Sequence, residues 1–150
     1  MILAAHGIRI ELPAGWSGRL FSRQNDVATL HAGNFTLALA DGEFGDRSTG
    51  VMGEGAAFIA LAEYRPGAGL KPGVGLFASR RIPRSLDPTE FSARGLAHPR
   101  PGQFGMQRFF TATGRPFCLY VVLTGAGLAR RKQLAVVHRV LASLAIEPRG

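Results

Sequence analysis

The residues of this 150-residue chain that could do chemistry are few and widely spaced. Its four histidines, His6, His31, His98 and His138, show neither the helical pairing nor the zinc-finger spacing of metal ligands. The single cysteine, Cys118, can form neither an internal disulfide nor a structural zinc site, and its place in an apolar run marks it as a core thiol rather than a nucleophile. Asp41, Glu43 and Asp46 stand on a glycine-rich loop, as calcium ligands would, but without the ligand order and distal glutamate of an EF-hand they read as a solvated loop. No Gly-x-Ser-x-Gly elbow, phosphate-binding Gly-x-x-x-x-Gly-Lys-Ser/Thr loop or Cys/His constellation occurs. The expectation is therefore a non-enzyme with no cofactor and no metal, although a triad assembled in space stays open.

Two other groups of residues are candidate sites. Gly125-Ala-Gly-Leu-Ala-Arg-Arg-Lys132 opens a helix after an apolar strand, where free backbone N–H groups can hold an anion. Arg130, Arg131 and Lys132 are read either as a weak phosphate, sulfate or carboxylate site or as side chains reaching into solvent. Arg130 replaces the third glycine of a dinucleotide fingerprint, and an antiparallel hairpin precedes the helix, which argues against a nucleotide. Aromatic and methionine residues favoured at protein interfaces make Phe44, Phe104 and Met106 a candidate protein-binding surface, with Trp16 and Tyr64 as further candidates. Phe44 and Phe104 carry that expectation because each reads as standing in a glycine-rich loop. Trp16 reads rather as a core lid on the first hairpin.

The elements that must position these residues centre on Gln107 to Leu144. Phe109 and Phe110 lead into a Thr113-Gly114 turn, and Phe117 to Leu123 then runs seven residues without a charge, as a strand covered on both faces does. From about Leu128, Leu134, Val137, Leu141 and Leu144 recur on one helical face with Arg131, Lys132, His138 and Arg139 opposite, which predicts an amphipathic helix covering the sheet. Pro148 prevents its continuation.

Upstream, Ile8 to Leu12 alternates as a half-buried strand ended by Pro13-Ala14-Gly15, and Leu20-Phe21 starts a second. Val27 to Ala32 and Phe35 to Ala40 are further strand candidates. Residues 41–55 read as polar loop, Ala56 to Tyr64 as a buried strand in preference to a helix, and 65–75 as loop. Gly75 to Ala78 reads as a short strand, and Ile82 to Pro101 as irregular surface with Asp87-Pro-Thr-Glu90 fitting a turn or a capped helical turn. No linker, repeat or low-complexity tract divides residues 1–150, so one domain is expected.

The formal charge of +8 raises nucleic acid as a partner, but the basic residues include only two lysines, and the arginines spread from Arg9 to Arg149 with small clusters at Arg80-Arg81-Arg84 and Arg130-Arg131-Lys132. Scattered arginine of this kind also follows from a GC-rich genome. The expected partner is another protein. The opening residues show neither a basic region nor a long apolar one, and no stretch suits a membrane helix, so a cytoplasmic location without membrane insertion is the expectation unless a leader precedes residue 1.

Three local signatures resemble the PsbP-like family: Ile8-Arg-Ile-Glu-Leu-Pro-Ala-Gly-Trp16, the late hairpin ending in an apolar strand, and the closing helix with Val140-Leu-Ala-Ser-Leu-Ala-Ile146. The resemblance implies an α+β, single-domain α/β/α sandwich with a mainly antiparallel sheet and the C-terminal amphipathic helix packed on it. It also implies mostly non-enzymatic binding roles, as in photosystem accessory proteins, a Ran-binding protein, bacterial lipoproteins and secretion-system chaperones. Leu86-Asp-Pro, Pro101-Gly-Gln, Gln107-Arg-Phe-Phe and Arg115-Pro-Phe-Cys-Leu-Tyr-Val-Val-Leu are similar to segments of actinobacterial proteins, a narrower likeness that implies no function.

Overall fold

Apolar runs bounded by turn residues fold into two antiparallel sheets and one long helix, an α+β arrangement. The computed structural model describes residues 1–67 and 69–149, leaving the side chain of Asn25 aside; Ala68, within the predicted 65–75 loop, and Gly150 lie outside the described residues. The strands are β1 (Ile2–Ala5), β2 (Ile8–Glu11), β3 (Ser17–Ser22), β4 (Ala28–Gly33), β5 (Ala57–Glu63), β6 (Gln103–Ala112), β7 (Arg115–Thr124) and β8 (Ala145–Ile146). The helices are the single-turn α1 (Asp46–Gly50) and the long α2 (Gly127–Ala142). The main sheet has the order β3-β4-β5-β7-β6, and a small sheet β1-β2-β8 joins the two ends of the described chain.

β5 and β7 are buried along their whole lengths, as their unbroken apolar runs require. Their antiparallel register, Ala57 opposite Leu123 through Glu63 opposite Phe117, puts Ile59, Leu61, Leu119 and Val121 on one face and Phe58, Ala60, Tyr120 and Val122 on the other. β5, not β7, is the middle strand of the five. On the first face α2 lays down Leu134, Val137, Val140 and Leu141, and Leu144 just beyond the helix joins them. The C-terminal end of α2 is fixed from outside. Arg84 donates to the carbonyls of Leu141 and Leu144 at 2.6 and 2.8 Å, so this member of a basic cluster is a helix C-cap.

The second face carries no long helix. It is covered by residues 35–55, from which Phe35, Leu37, Phe44 and Met52 pack on Phe58, Tyr120 and Val122. The predicted strand over Phe35 to Ala40 is absent because side chains take its backbone partners: Ser17 Oγ donates to Phe35 O, Arg19 to the carbonyls of Ala38 and Leu39, and Ser48 Oγ accepts from Ala38 N. Asn34 clasps the base of this cover, donating to Gly55 O at 3.0 Å and accepting from Ala57 N at 2.8 Å. Gly45 N-caps α1 in the left-handed conformation, φ +68°, directly against the Phe58 ring, so a side chain there would be strained and would collide.

Three other sequence expectations change. Gly75–Phe77 is a 3-10 turn rather than a strand. Residues 82–101 are irregular, but not surface throughout, since Leu86, Phe91 and Leu96 are buried. Asp87 and Glu90 do form the reciprocal capping box. The opening residues, read without a strand, supply β1, which pairs with β2 through the turn at His6-Gly7. Among the described residues no helix is long and apolar enough to cross a membrane.

Candidate functional site

The candidate interface of Phe44, Phe104 and Met106 does not come together. Met106 is buried in the core, 2% exposed. Phe104 lies in β6, not in a loop, and packs on the α2 face, whereas Phe44 packs on the opposite face with its ring edge-on to Tyr120 at 5.3 Å. A loop reading failed at Phe104 because the strand begins at Gln103, directly after Gly102. Trp16 is half-buried against the core, as a lid is.

The Arg130, Arg131 and Lys132 group is also divided. Arg130 lies over the Phe104 ring, 4.0 Å from its centroid, and donates to Gly125 O at 3.1 Å. That guanidinium therefore fixes the loop ahead of α2, and Arg131 and Lys132 remain exposed. No side chain caps the helix start.

The acidic loop is an internal clasp. Asp41 accepts the N–H groups of Gly42, Arg47 and Ser48, holding the start of α1. Partial burial works to raise its carboxyl, but bonds from Ser48 and these backbone groups hold it below the usual range. Glu43 pairs with Arg23 at 3.2 Å, and Asp46 with Arg100 at 2.7 Å. Among the described residues no group of three His, Cys, Asp or Glu side chains could hold a metal ion. Cys118 is fully buried, and desolvation together with the nearby Glu43 charge pushes its thiol up to about 12.

Two constellations that local motifs do not show are built by the fold. At one end of the sheet, Glu63 is 1% exposed and accepts from Arg115 at 2.9 Å, Arg149 at 2.6 Å and Ala28 N at 3.0 Å. Burial works to raise its carboxyl, yet these donors hold it below the usual range, so it stays ionised. Arg115, 4% exposed, also reaches His6 O and Glu147 O at 2.9 Å. It thereby ties the β1–β2 turn to the segment after β8. Gly7, at φ +75°, leaves the space: a Cβ there would stand 2.6 Å from the guanidinium. On the second face, His31 is fully buried between the rings of Phe21 and Phe58, with Nε2 2.9 Å from Glu43 O. Its Nδ1 has no partner, and burial lowers its pKa from the usual histidine value.

An apolar concave surface lies where β5 ends. Tyr64, Phe77 and Phe109 come from three separate segments, and their ring centroids stand 5.6 to 6.4 Å apart. They floor a pocket of about 410 Å³ with Leu70, Val74 and Leu76 on its rim and Lys71 beside it. Val74 and Leu76 are 59% and 64% exposed. The segment bearing them is held by Thr111, which accepts from Gly73 N and donates to Phe77 O, both at 2.8 Å. Tyr64 had been a candidate; Phe77 and Phe109 had not. The available signal was Val74-Gly-Leu76-Phe77 in a stretch too rich in glycine to bury all three.

The chain matches no protein-family model, no curated protein and no solved structure.

Proposed function

We propose that this chain is a non-enzymatic protein-binding module, an accessory or adaptor component of a larger assembly, and that the pocket floored by Tyr64, Phe77 and Phe109 seats an apolar side chain of its partner. The observation that carries this is the combination of three converging rings with exposed Val74 and Leu76 on one shallow rim, an arrangement typical of side-chain docking. A volume of about 410 Å³ suits a leucine, phenylalanine or tryptophan side chain with part of its backbone. The charge of +8 and the pocket's Lys71 favour an acidic partner. The resemblance to PsbP-like proteins, with their accessory roles, points the same way.

The enzyme reading would need titratable groups free to exchange protons. Glu63 and Arg115 meet the distance requirement, but the guanidinium holds the Glu63 carboxylate in its charged form. For nucleic acid, Arg84, Arg108, Arg115 and Arg130 are directed to carbonyls, carboxylates or a ring of the chain itself, which weakens a continuous phosphate-binding face.

A displayed random peptide library panned against the whole chain tests the proposal. Enriched peptides should share an apolar anchor, lose binding to a Leu76→Asp variant and keep it for Phe44→Ser. A library that enriches nothing, or peptides indifferent to Leu76→Asp, would overturn it.

A further inference from the structure

The pocket does not end at Phe109. Residues 78–82 cross the outer edge of β6, with Ser79 O accepting from Thr111 N at 2.7 Å, and carry the chain from the second face to the α2 face. At that crossing a second cleft, of about 490 Å³, opens between Ser79, Arg81, Pro83, Arg84 and Arg108, and Phe109 lines this cleft as well as the apolar pocket. The aromatic pocket and the arginine-lined cleft therefore meet at Phe109.

Among the described lining residues of the two clefts there is no Asp or Glu, while Lys71, Arg81, Arg84 and Arg108 all line one or the other. Their availability differs. Arg84 is held by the carbonyls that end α2, and Arg108 by a two-point pair with Glu90 at 2.7 and 2.8 Å. Arg80, just outside, folds its guanidinium against Gly73. Arg81 is exposed, and among the described residues it makes no hydrogen bond or ion pair. A guanidinium of this kind, beside an apolar seat and with further cations behind it, is suited to a carboxylate.

Resting on the binding role proposed above, we infer that the partner segment is acidic beside its apolar anchor: the anchor enters the pocket over Phe77 and Phe109, and an Asp or Glu side chain engages Arg81 in the adjoining cleft. Because Phe109 lines both clefts, the two residues stand about two to four positions apart in an extended segment, which rises roughly 3.3 Å per residue.

The test compares peptides selected by the whole wild-type chain with those selected by Arg81→Glu and Leu76→Asp. Arg81 is exposed, so the charge reversal leaves the core untouched. Wild type should select an apolar anchor with Asp or Glu at that spacing, and a synthetic peptide of the selected sequence should bind Arg81→Glu about ten-fold more weakly. Arg81→Glu should itself select Lys or Arg at the same position. An apolar anchor without an acidic neighbour, or equal affinity for both proteins, would overturn this inference while leaving the binding module standing. Loss of the apolar anchor itself would overturn the module. Saturable binding of dodecanoate with no peptide enriched would overturn both, in favour of a small amphipathic carboxylate.

Discussion

The two faces of the main sheet are covered by different means. On one, α2 satisfies most of its own backbone and brings only side chains to the sheet, so that face is an apolar core of aliphatic and aromatic side chains, with a buried ionic group at the Glu63–Arg115 end. On the other, residues 35–55 have little regular structure, and their backbone groups must find side-chain partners. Ser17, Arg19, His31, Asn34, Asp41 and Gln103 supply them, the last through Thr49 O at 2.7 Å. Among the described residues Arg23 Nε, Thr29 Oγ1, His31 Nδ1, Glu43 Oε1 and Gln103 Oε1 stay buried without partners on this side, whereas on α2 the unpartnered polar atoms are those of a single side chain, Gln133. A helix is thus a cover that asks little of the sheet beneath it, and an irregular cover recruits polar groups into the core and leaves some of them unmet.

The largest effect should come from the buried ionic group at the Glu63 end of the helix-covered side. Replacing Arg115 by Met strands the buried Glu63 carboxylate and releases both His6 O and Glu147 O, at a cost of about 3–5 kcal/mol in denaturant unfolding. A loss below about 1 kcal/mol would mean that Arg149 alone compensates the charge. Next, Leu141→Ala should cost about 2–5 kcal/mol globally. Phe44→Ala, on the half-buried edge of the irregular cover, should mainly speed amide exchange across residues 35–50. Equal falls in melting temperature for these two variants would abolish the distinction between the faces.

A smaller effect follows from His31. The groups facing it are Arg19 and Arg23 from the β3 side and Asp41 and Glu43 from the cover; Ala60 and Phe58 of β5 bring no charge. Burial lowers its folded pKa below the unfolded value near 6.5, so the unfolded chain binds the extra proton first. Its contribution is complete above about pH 6.5 and is lost as pH falls from there toward the folded pKa. Exchange of amides in residues 35–50 should rise over that window in wild type and stay flat in His31→Gln. The smallest effect belongs to Asp46→Asn, whose half-exposed pair with Arg100 is worth at most about 1 kcal/mol. A larger loss would show that α1 is the principal anchor of its face.

Regular elements were legible in the sequence because they repeat a period. The alternation at Ile8–Leu12, the apolar run at Phe117–Leu123 and the heptad-like spacing of Leu134, Val137 and Leu141 each state a local rule that the fold obeys. The strand expected at Phe35–Ala40 has the same period, and fails because its hydrogen-bond partners come from Ser17, Arg19 and Ser48, far along the chain. The candidate sites were less legible for a related reason. Tyr64, Phe77 and Phe109 meet only after β5, a 3-10 turn and β6 are placed, and the carboxylate that Arg115 neutralises lies 52 residues away. Its place at a helix start left Arg130 to be read as an anion ligand or as a side chain in solvent, while the fold sets it on Phe104.

The small sheet has a consequence for the chain as it is made. β2 pairs with β8, Ile8 opposite Ile146, and Arg115 closes the same junction between His6 and Glu147. The hairpin of β6 and β7 can form as soon as it leaves the ribosome, for its partners are neighbours. β1 and β2 can pair as early across the His6-Gly7 turn, but the other edge of β2 cannot be filled then. That edge, with Ile8 and Ile10 short of their final cover, waits until residues 145 and 146 have been added, and during that interval it is open to wrong pairing or to capture by a chaperone.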